Sequence, residues 1–374
     1  MKTRAAVLHE MGLSAPYAKS EPLKIETLEL DDPQRGEVLI RIKAAGLCHS
    51  DLSVINGSRA RPTPMALGHE AAGEVVEVGE DVTDLKPGDH VVCSFVPSCG
   101  HCLPCQEGRP ALCETGAKAN NEGVMLAGGR RLHSENGDVN HHLGVSGFAE
   151  YAVVSRKSLV KVDPEISFSK VAMFGCAVIT GVGAVINTAR VKPGSSVAVV
   201  GLGGIGLNAL LGAIMAGARQ IVAVDIHSKK LELAKTLGAT DTFDSRSPDV
   251  VEEIRAATNG GVDYAFETAG VVQAMKTAYR ITKRGGMTVT TGLPDPSHEF
   301  SFPHVTLTAE ERTIKGSYLG SCVPARDIPR FIELYKRGRL PVDRLLTDTL
   351  LLEDINEGFD RLASGEVSRL VVEM

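Results

Sequence analysis

The sequence predicts an α/β protein of two domains, and three features support this prediction. Short strands separated by turns fill the first third, whereas strand–helix alternation begins near Ser169. The chain has 374 residues, more than one typical domain holds. We therefore expect a mostly antiparallel β domain and a second domain built on a doubly wound parallel sheet.

The first domain is predicted from short apolar runs that are rich in β-branched residues. Turn-forming residues separate them, as in Lys86-Pro87-Gly88-Asp89. Runs of this length between tight turns are typical of antiparallel sheets with inserted loops. The strands are expected at residues 4–8, 37–43, 73–79 and 89–93.

The second domain is predicted from apolar strands that alternate with helical segments, an order that favours a parallel sheet. Strands are expected at 196–200, 220–225, 262–267 and 287–291, and helices at 208–218, 229–237 and 250–257. Towards the end of the sequence we expect helices at 327–336 and 353–362 and a strand at 369–373, which would return to the first domain.

Composition excludes several classes of partner. Hydrophobic residues make up 43% and charged residues 23%, an ordinary globular balance. A net charge of −6 without a basic stripe argues against nucleic acid. No apolar run approaches the ~20 residues that cross a bilayer, and no presequence is evident. We expect a cytoplasmic protein that binds neither nucleic acid nor membrane.

A cluster of cysteines is the strongest single signal in the sequence. The run Cys99-Gly100-His101-Cys102-Leu103-Pro104-Cys105 is followed shortly by Cys113. This spacing brings four thiolates to one point, which suits the closed tetrahedral site of a structural Zn²⁺. An iron–sulfur cluster uses the same ligands, and ligand softness does not choose between them. Two residues between successive cysteines are too few to favour an orderly set of disulfide bonds.

A glycine motif predicts dinucleotide binding. The run Gly201-Leu202-Gly203-Gly204-Ile205-Gly206 follows a predicted strand and opens a predicted helix, and Asp225 ends the next strand. Glycines permit the tight turn and the close approach of pyrophosphate to the helix N-terminus. A carboxylate at Asp225 would accept the ribose hydroxyls and repel a 2′-phosphate, which favours NAD over NADP. Alternatively, Asp225 only ends its strand and caps the next helix.

Three scattered residues could form a second metal site. Cys48, His69 and Cys176 together would give a catalytic zinc set with an open fourth position. Each also has a simpler interpretation, because single cysteines are often small buried hydrophobes and single histidines are often core residues. Cys176 lies just before the predicted nucleotide-binding domain, which favours the metal site.

These motifs together resemble the zinc-dependent medium-chain alcohol dehydrogenase family. The resemblance extends over essentially the whole chain and rests on Gly68-His69-Glu70, the four-cysteine run, residues 201–206 and Asn356-Glu357-Gly358-Phe359, in the family's order. It implies a GroES-like catalytic domain over residues 1–178, completed by 322–374. A Rossmann domain that binds NAD would span residues 179–321.

The resemblance also implies roles for individual residues. Cys48, His69 and Cys176 would bind the catalytic zinc, so that two zinc ions are expected per chain. Asp51 and Glu70 would support that metal site, with Asp51 orienting His69. The remaining roles are proton transfer by Ser50, a wall of the substrate pocket at Phe95, and coenzyme contacts at His49, Lys230 and Arg369.

Some residues depart from the family pattern or remain without a role. Ser53 stands where the family's proton relay commonly ends in a histidine. We expect His141 and His142 to be solvated in a long polar loop over residues 114–142. That loop resembles the one found in dimeric members, so a homodimer is expected. Cys93 and Cys322 are expected to be inert core thiols.

The implied activity is reversible hydride transfer between a primary or secondary alcohol and NAD, which gives an aldehyde or ketone. In this reaction zinc acts as a Lewis acid and the coenzyme carries the hydride. Two alternatives are a thiol-adduct formaldehyde dehydrogenase of the same family, which Arg59 and Arg61 leave open, and a non-catalytic NAD-binding protein. The physiological alcohol or aldehyde is not predicted.

Overall fold

The computed structural model describes residues 1–365 and 367–374 and divides the chain into two compact units. The first unit comprises Met1–Cys176, Val323–Ile332 and Leu346–Met374, and the second comprises Ala177–Cys322 and Glu333–Leu345. Residues 333–345 thus lie with the second unit, whereas the sequence analysis placed them in the catalytic domain.

The strands are numbered in chain order. They are β1 (Lys2–Leu8), β2 (Leu23–Leu30), β3 (Glu37–Gly46), β4 (Met65–Ala66), β5 (Glu70–Val78), β6 (His90–Cys93), β7 (Leu132–Ser134), β8 (Gly137–His141), β9 (Tyr151–Ser155), β10 (Leu159–Lys161), β11 (Ser196–Val200), β12 (Gln220–Asp225), β13 (Asp241–Asp244), β14 (Val262–Glu267), β15 (Thr282–Thr290), β16 (Thr313–Gly316), β17 (Asp348–Leu351) and β18 (Leu370–Glu373).

The α-helices are numbered in the same way. They are α1 (Tyr17–Ser20), α2 (His49–Ile55), α3 (Leu103–Gln106), α4 (Glu114–Glu122), α5 (Phe168–Ala172), α6 (Ala177–Gly183), α7 (Gly204–Met215), α8 (Ser228–Leu237), α9 (Val250–Ala257), α10 (Val272–Ile281), α11 (His304–Ala309), α12 (Pro324–Lys336) and α13 (Ile355–Ala363). A π-helical segment, Ala184–Ala189, follows α6, and short 3₁₀ turns include Pro110–Leu112 and Met173–Gly175.

The first unit contains a small closed barrel and a larger sheet. The barrel runs β1-β2-β7-β8-β4, and the sheet runs β10-β6-β5-β3-β18-β17, with β9 also paired to β3. β3 pairs antiparallel with both β5 and β18, so the end of the chain does return to this unit. Its core includes the fully buried rings of Phe148 and Phe359. The mostly β domain is thus confirmed.

The second unit is a six-stranded parallel sheet with the strand order β13-β12-β11-β14-β15-β16. This is the order 3-2-1-4-5-6 of the Rossmann fold, in which ligands bind beyond the carboxyl ends of the strands. The central strand β11 is buried along its whole length, as expected for a strand covered on both faces. The doubly wound parallel sheet is therefore confirmed.

The segment from 114 to 142 is more ordered than the sequence analysis predicted. It contains α4 and the hairpin of β7 and β8 rather than one long loop. Cys113 precedes α4 and its sulfur accepts the Gly116 N–H, which caps a polar helix that has little apolar periodicity. The prediction of a loop was wrong because local capping and strand pairing, not hydrophobic pattern, specify these elements.

No single helix within the described ranges is long and apolar enough to cross a membrane. By length and composition alone, one bent pair, Phe168–Gly175 with Ala177–Ala189, passes such a test.

Candidate active site and metal centres

The structure brings Cys48, His69 and Cys176 together. Cys48 immediately precedes α2, His69 immediately precedes β5, and Cys176 lies between a 3₁₀ turn and α6. All three are buried, and their candidate ligand atoms lie within 4.8 Å of one another. Gly68 holds the turn before His69 at φ +93°, where an added Cβ would collide with the backbone of Phe148. The close packing of this turn therefore requires a glycine.

Asp51 orients the imidazole of His69. The carboxylate is completely buried on α2, and its Oδ1 lies 3.0 Å from His69 Nδ1 and accepts the Gly68 N–H at 3.3 Å. Burial acts to raise the pKa of Asp51, but the neighbouring His69 and His142 hold it well below its usual range. Because Nδ1 faces the carboxylate, Nε2 is the atom of His69 left for a metal.

The two thiols of the cluster share a hydrogen bond. This bond, together with His69, lowers the pKa of Cys48 well below its ordinary value despite burial, whereas the same bond and burial raise the pKa of Cys176. Burial acts to lower the pKa of His69, but the neighbouring Asp51 and Cys48 raise it well above its ordinary value. Two sulfurs and one imidazole nitrogen are the donors of a catalytic Zn²⁺ site with an open position, so the residues present fit that metal.

Glu70 and Arg369 form a buried ion pair beside these ligands. Glu70 Oε1 accepts a hydrogen bond from Arg369 Nη2, and both side chains are almost fully shielded from solvent. Burial raises the pKa of Glu70 although Arg369 opposes this. A Cβ at Gly46 would collide with Glu70, so the glycine at the end of β3 makes room for the pair. The structure thus places Arg369, a predicted coenzyme contact, on Glu70.

The four cysteines of the run 99–113 also converge. The sulfur atoms of Cys99, Cys102, Cys105 and Cys113 lie within 4.8 Å of one another. Backbone N–H groups donate to two of them: Cys102 N to Cys99 Sγ at 3.3 Å and Cys99 N to Cys113 Sγ at 3.2 Å. Although burial acts in the opposite direction, backbone hydrogen bonds lower the pKa of Cys99 to about 6. The thiolate-only donor set fits a closed structural zinc site.

The glycine motif has the geometry that dinucleotide binding requires. Gly201 has φ +95°, and an added Cβ would meet Ala269 at 2.8 Å. A Cβ at Gly206 would collide with the Gly201 carbonyl, whereas a Cβ at Gly203 would meet nothing within 4 Å. α7 begins directly after Gly203 with Gly204 and Ile205, and the first N–H groups of a helix have no partner within it, which suits a bound phosphate.

Asp225 ends β12 next to this motif. Its Oδ2 accepts the Leu202 N–H at 2.6 Å, and its Oδ1 accepts the His227 N–H at 2.9 Å. The carboxylate therefore braces both the glycine turn and the start of α8, which was the alternative interpretation of this residue. Lys230 on α8 is buried, and burial lowers its pKa although Asp225 acts in the opposite direction.

The other predicted residues lie on or near α2. His49 is exposed at its first position and Ser50 is half-buried. Ser53 Oγ donates to His49 O at 2.8 Å, so its hydroxyl serves the helix backbone. Phe95 is buried and stands edge-on to the His69 ring at 5.4 Å between centroids. Proximity to His69 agrees with a place near the metal centre.

The expectation that His141 and His142 are solvated was wrong. His141 is buried, its Nε2 accepts the Arg131 N–H at 2.9 Å, and burial lowers its pKa to about 3. His142 is 2% exposed, and its Nδ1 lies 3.1 Å from Asp51 Oδ1. Burial lowers the pKa of His142 as well. A polar sequence context concealed this pair, and only the strand pairing of β8 would have indicated burial.

The two remaining cysteines are core residues. Cys93 and Cys322 are fully buried, and burial raises the pKa of Cys93 to about 12. Cys322 Sγ accepts a hydrogen bond from Asn187 Nδ2 at 3.1 Å. Burial confirms that both are core thiols, and a raised pKa makes Cys93 a poor nucleophile at neutral pH, so the inertness of both thiols stays a prediction.

Comparison with known proteins agrees with these sites. Residues 34–164 match the alcohol dehydrogenase GroES-like domain, and residues 204–337 match the zinc-binding dehydrogenase domain. An NDMA-dependent alcohol dehydrogenase from Amycolatopsis methanolica is 40% identical over 100% of this chain and 99% of its own. An S-(hydroxymethyl)glutathione dehydrogenase from a Synechocystis strain is 39% identical, with both chains covered completely.

A solved structure shows the same architecture. Benzyl alcohol dehydrogenase from Acinetobacter calcoaceticus superposes with a TM-score of 0.93 at 34% identity, covering 100% of this chain and 99% of the other. The chain belongs to the zinc-dependent medium-chain alcohol dehydrogenase family. It is an oxidoreductase with a GroES-like domain and a Rossmann domain.

Proposed function

We propose that this enzyme interconverts small primary or secondary alcohols and their aldehydes or ketones with NAD, through zinc held by Cys48, His69 and Cys176. The observation that carries the proposal is that these three donors form a buried cluster. Asp51 lies beside Nδ1 of His69, which leaves Nε2 for the metal. The four cysteines from Cys99 to Cys113 would hold a second zinc that supports the fold.

The chain's own residues would position the substrate hydroxyl and move its proton. When bound, zinc supplies Lewis acidity that acidifies a hydroxyl and polarises a carbonyl. Ser50, on α2 two positions after Cys48, would accept the alcohol proton and return it in the reverse reaction. Ser53 has no basicity near neutral pH and its hydroxyl is engaged by His49 O, so the proton would pass onward to solvent bases.

The coenzyme preference would come from Asp225. A carboxylate at the end of β12 accepts hydroxyls but repels a phosphate on the same ribose, which supports NAD rather than NADP. Gly201, Gly203 and the first turn of α7 would receive the pyrophosphate. Lys230 and His49 are further proposed contacts of the coenzyme. Arg369 is a further proposed contact of the coenzyme, and its guanidinium also holds Glu70.

One observation favours a second candidate activity, the oxidation of a thiol–formaldehyde adduct. Arg61 is half-buried and donates to Asn121 Oδ1 at 2.9 Å, which fixes one side of its guanidinium. An ordered cation of this kind is suited to the carboxylates of a thiol cofactor such as glutathione. The named relative from Synechocystis acts on an adduct of this class.

One experiment tests the activity and separates these candidates. The zinc-loaded enzyme is supplied with NAD and a panel of primary, secondary and aromatic alcohols, and with formaldehyde in the presence or absence of glutathione, while NADH absorbance is followed. Ser50→Ala should lower turnover by about 10²–10⁴-fold, whereas Ser53→Ala, one turn later on α2, should not. Equal activity of Ser50→Ala and the wild type would overturn the role of Ser50.

A homodimer in the cytoplasm is also proposed. The extended 114–142 segment supports a dimer by analogy with dimeric members. The outer strand β16 of the parallel sheet leaves three of its four residues exposed, and an open sheet edge of this kind can pair with a second copy. None of the eight cysteines, all of which lie in the described residues, forms a disulfide, which supports a reducing compartment. Light scattering measures the assembly, and a tetramer mass would contradict the dimer.

A further inference from the structure

His142 contacts the carboxylate that orients a proposed zinc ligand. Its Nδ1 lies 3.1 Å from Asp51 Oδ1, and its ring stands edge-on to His69 at 5.6 Å between centroids. The side chain is 2% exposed, so water does not compete for this contact. Within the described ranges, His142 Nδ1 completes no hydrogen bond, although Asp51 Oδ1 lies within ion-pair distance of it.

Asp51 depends on few groups for its orientation. Three nitrogen atoms lie close to its Oδ1. His69 Nδ1 at 3.0 Å and Gly68 N at 3.3 Å come from adjacent residues and form hydrogen bonds with it, whereas His142 Nδ1 at 3.1 Å approaches from another part of the first unit. In the part of the chain that the structure describes, Oδ2 accepts no hydrogen bond. Loss of the His142 ring would therefore leave a buried carboxylate that is held only by the adjacent residues Gly68 and His69.

His142 itself is fixed by its backbone. Its N–H faces the Ser146 hydroxyl at 3.2 Å and Ala66 O at 3.3 Å, where β4 and the end of β8 lie side by side. The ring thus belongs to a rigid strand junction rather than to a mobile loop. A side chain on such a support loses less entropy on contacting Asp51 than one on a mobile loop would.

We propose that His142 is a positioning residue of the catalytic metal centre: through the contact of its Nδ1 with Asp51 Oδ1, it fixes the imidazole of His69 in the orientation that binds metal. The inference rests on the proposed metal site of Cys48, His69 and Cys176. Outer partners of metal-ligating histidines commonly contribute about 10–100-fold to metal affinity, and we expect His142 to act in this range.

Two variants separate hydrogen bonding from packing. His142→Gln keeps an N–H donor and loses the ring, whereas His142→Phe keeps the ring and loses the donor. Metal release to a chelator is followed from the zinc-loaded protein, and the visible spectrum of the Co²⁺-substituted protein reports the geometry of the centre. We expect His142→Phe to release metal at least about tenfold faster, with an altered spectrum, and His142→Gln to stay near the wild type.

The four-cysteine site provides an internal control, because its metal should leave at the same rate in every variant. In an Asp51→Asn background, His142→Phe should add little, since the two residues act through one contact. If His142→Phe does not fold, His142→Met, which also lacks a donor, replaces it. Equal metal release by the Gln and Phe variants, or faster release from Gln, would overturn the inference. A wild-type protein with one zinc per chain would instead overturn the proposed function.

Discussion

Asn356 pairs with the backbone of Leu23 through both atoms of its amide. Asn356 Oδ1 accepts the Leu23 N–H at 3.2 Å, and Asn356 Nδ2 donates to Leu23 O at 2.9 Å. The Asn356 amide on α13 thus makes the two hydrogen bonds that a neighbouring strand would make with Leu23, the first residue of β2. The two residues are 333 positions apart in sequence. Phe359, one turn further along α13, is fully buried in the core of the same unit. The Asn356–Phe359 motif thus joins distant parts of the chain.

Asn356→Leu should destabilise the first unit. The substitution removes a donor and an acceptor from backbone groups that are shielded from water, which costs about 1–3 kcal/mol for each unsatisfied group. Thermal unfolding of the zinc-loaded protein provides the measurement. Glu357→Ala, at the exposed neighbouring position, is the control and should leave the midpoint almost unchanged. Equal midpoints for both variants would show that the amide contributes little.

The two metal sites should respond differently to loss of a thiol. Cys102→Ser should lose one zinc and fold poorly, because a closed thiolate site contributes directly to folding. Cys48→Ser should yield a folded protein that binds NAD but transfers little hydride. Metal analysis, thermal unfolding and coenzyme titration distinguish the two outcomes. Retention of full metal content by Cys48→Ser would contradict the assignment of two sites.

Asp225→Asn should test the role of the Asp225 charge. An asparagine keeps the Oδ1 acceptor that faces the His227 N–H, but it removes the negative charge and the acceptor that faces the Leu202 N–H. The ratio of kcat/KM values for NAD and NADP should shift towards NADP by about tenfold or more, since charge-assisted hydrogen bonds contribute about 1.5–3 kcal/mol. An unchanged ratio would mean that Asp225 only braces the turn and α8.

His133 should make stability depend on pH. It lies 2.9 Å from both Asp31 Oδ2 and Asp138 Oδ1, and hydrogen bonds to these carboxylates raise its pKa. Because the folded pKa exceeds the ordinary value of about 6.5, the contribution is complete below that value and is lost as the pH rises through the folded pKa. One third of the side chain is exposed, so the effect should be modest.

The comparison of wild type with His133→Gln measures this effect. The difference between their unfolding midpoints should be largest below the ordinary histidine pKa and shrink as the pH rises through the raised pKa of the wild-type imidazole. A difference that is constant across this range would assign the role of His133 to neutral hydrogen bonding.

The sequence predicted those features that local physics determines. The strand and turn at 196–206 identified the parallel sheet, since only glycine fits at Gly201 and Gly206. The expected helix at 353–362 appears as α13, because its apolar residues recur at helical spacing. The four cysteines from 99 to 113 converge as their short spacers indicated.

Contacts between distant segments were harder to predict. The pairing of His142 with Asp51 depends on the junction of β4 and β8, which no local pattern specifies. The position of Arg369 against Glu70 likewise depends on the pairing of β18 with β3. The Cys48, His69 and Cys176 site became convincing in sequence only through a family resemblance, because each residue alone has a simpler interpretation.

The ion pair of Glu70 and Arg369 also has a consequence for biosynthesis. A ribosome makes Glu70 299 residues before Arg369, and β3 gains its β18 partner only after that arginine has emerged. Until then the nascent chain carries a carboxylate without its cation, and the Ala44–Gly46 end of β3 lacks a partner on one edge, while β9 already covers Glu37–Arg41. The metal-binding region of the first unit is therefore completed late in translation, although most of its ligands are made early.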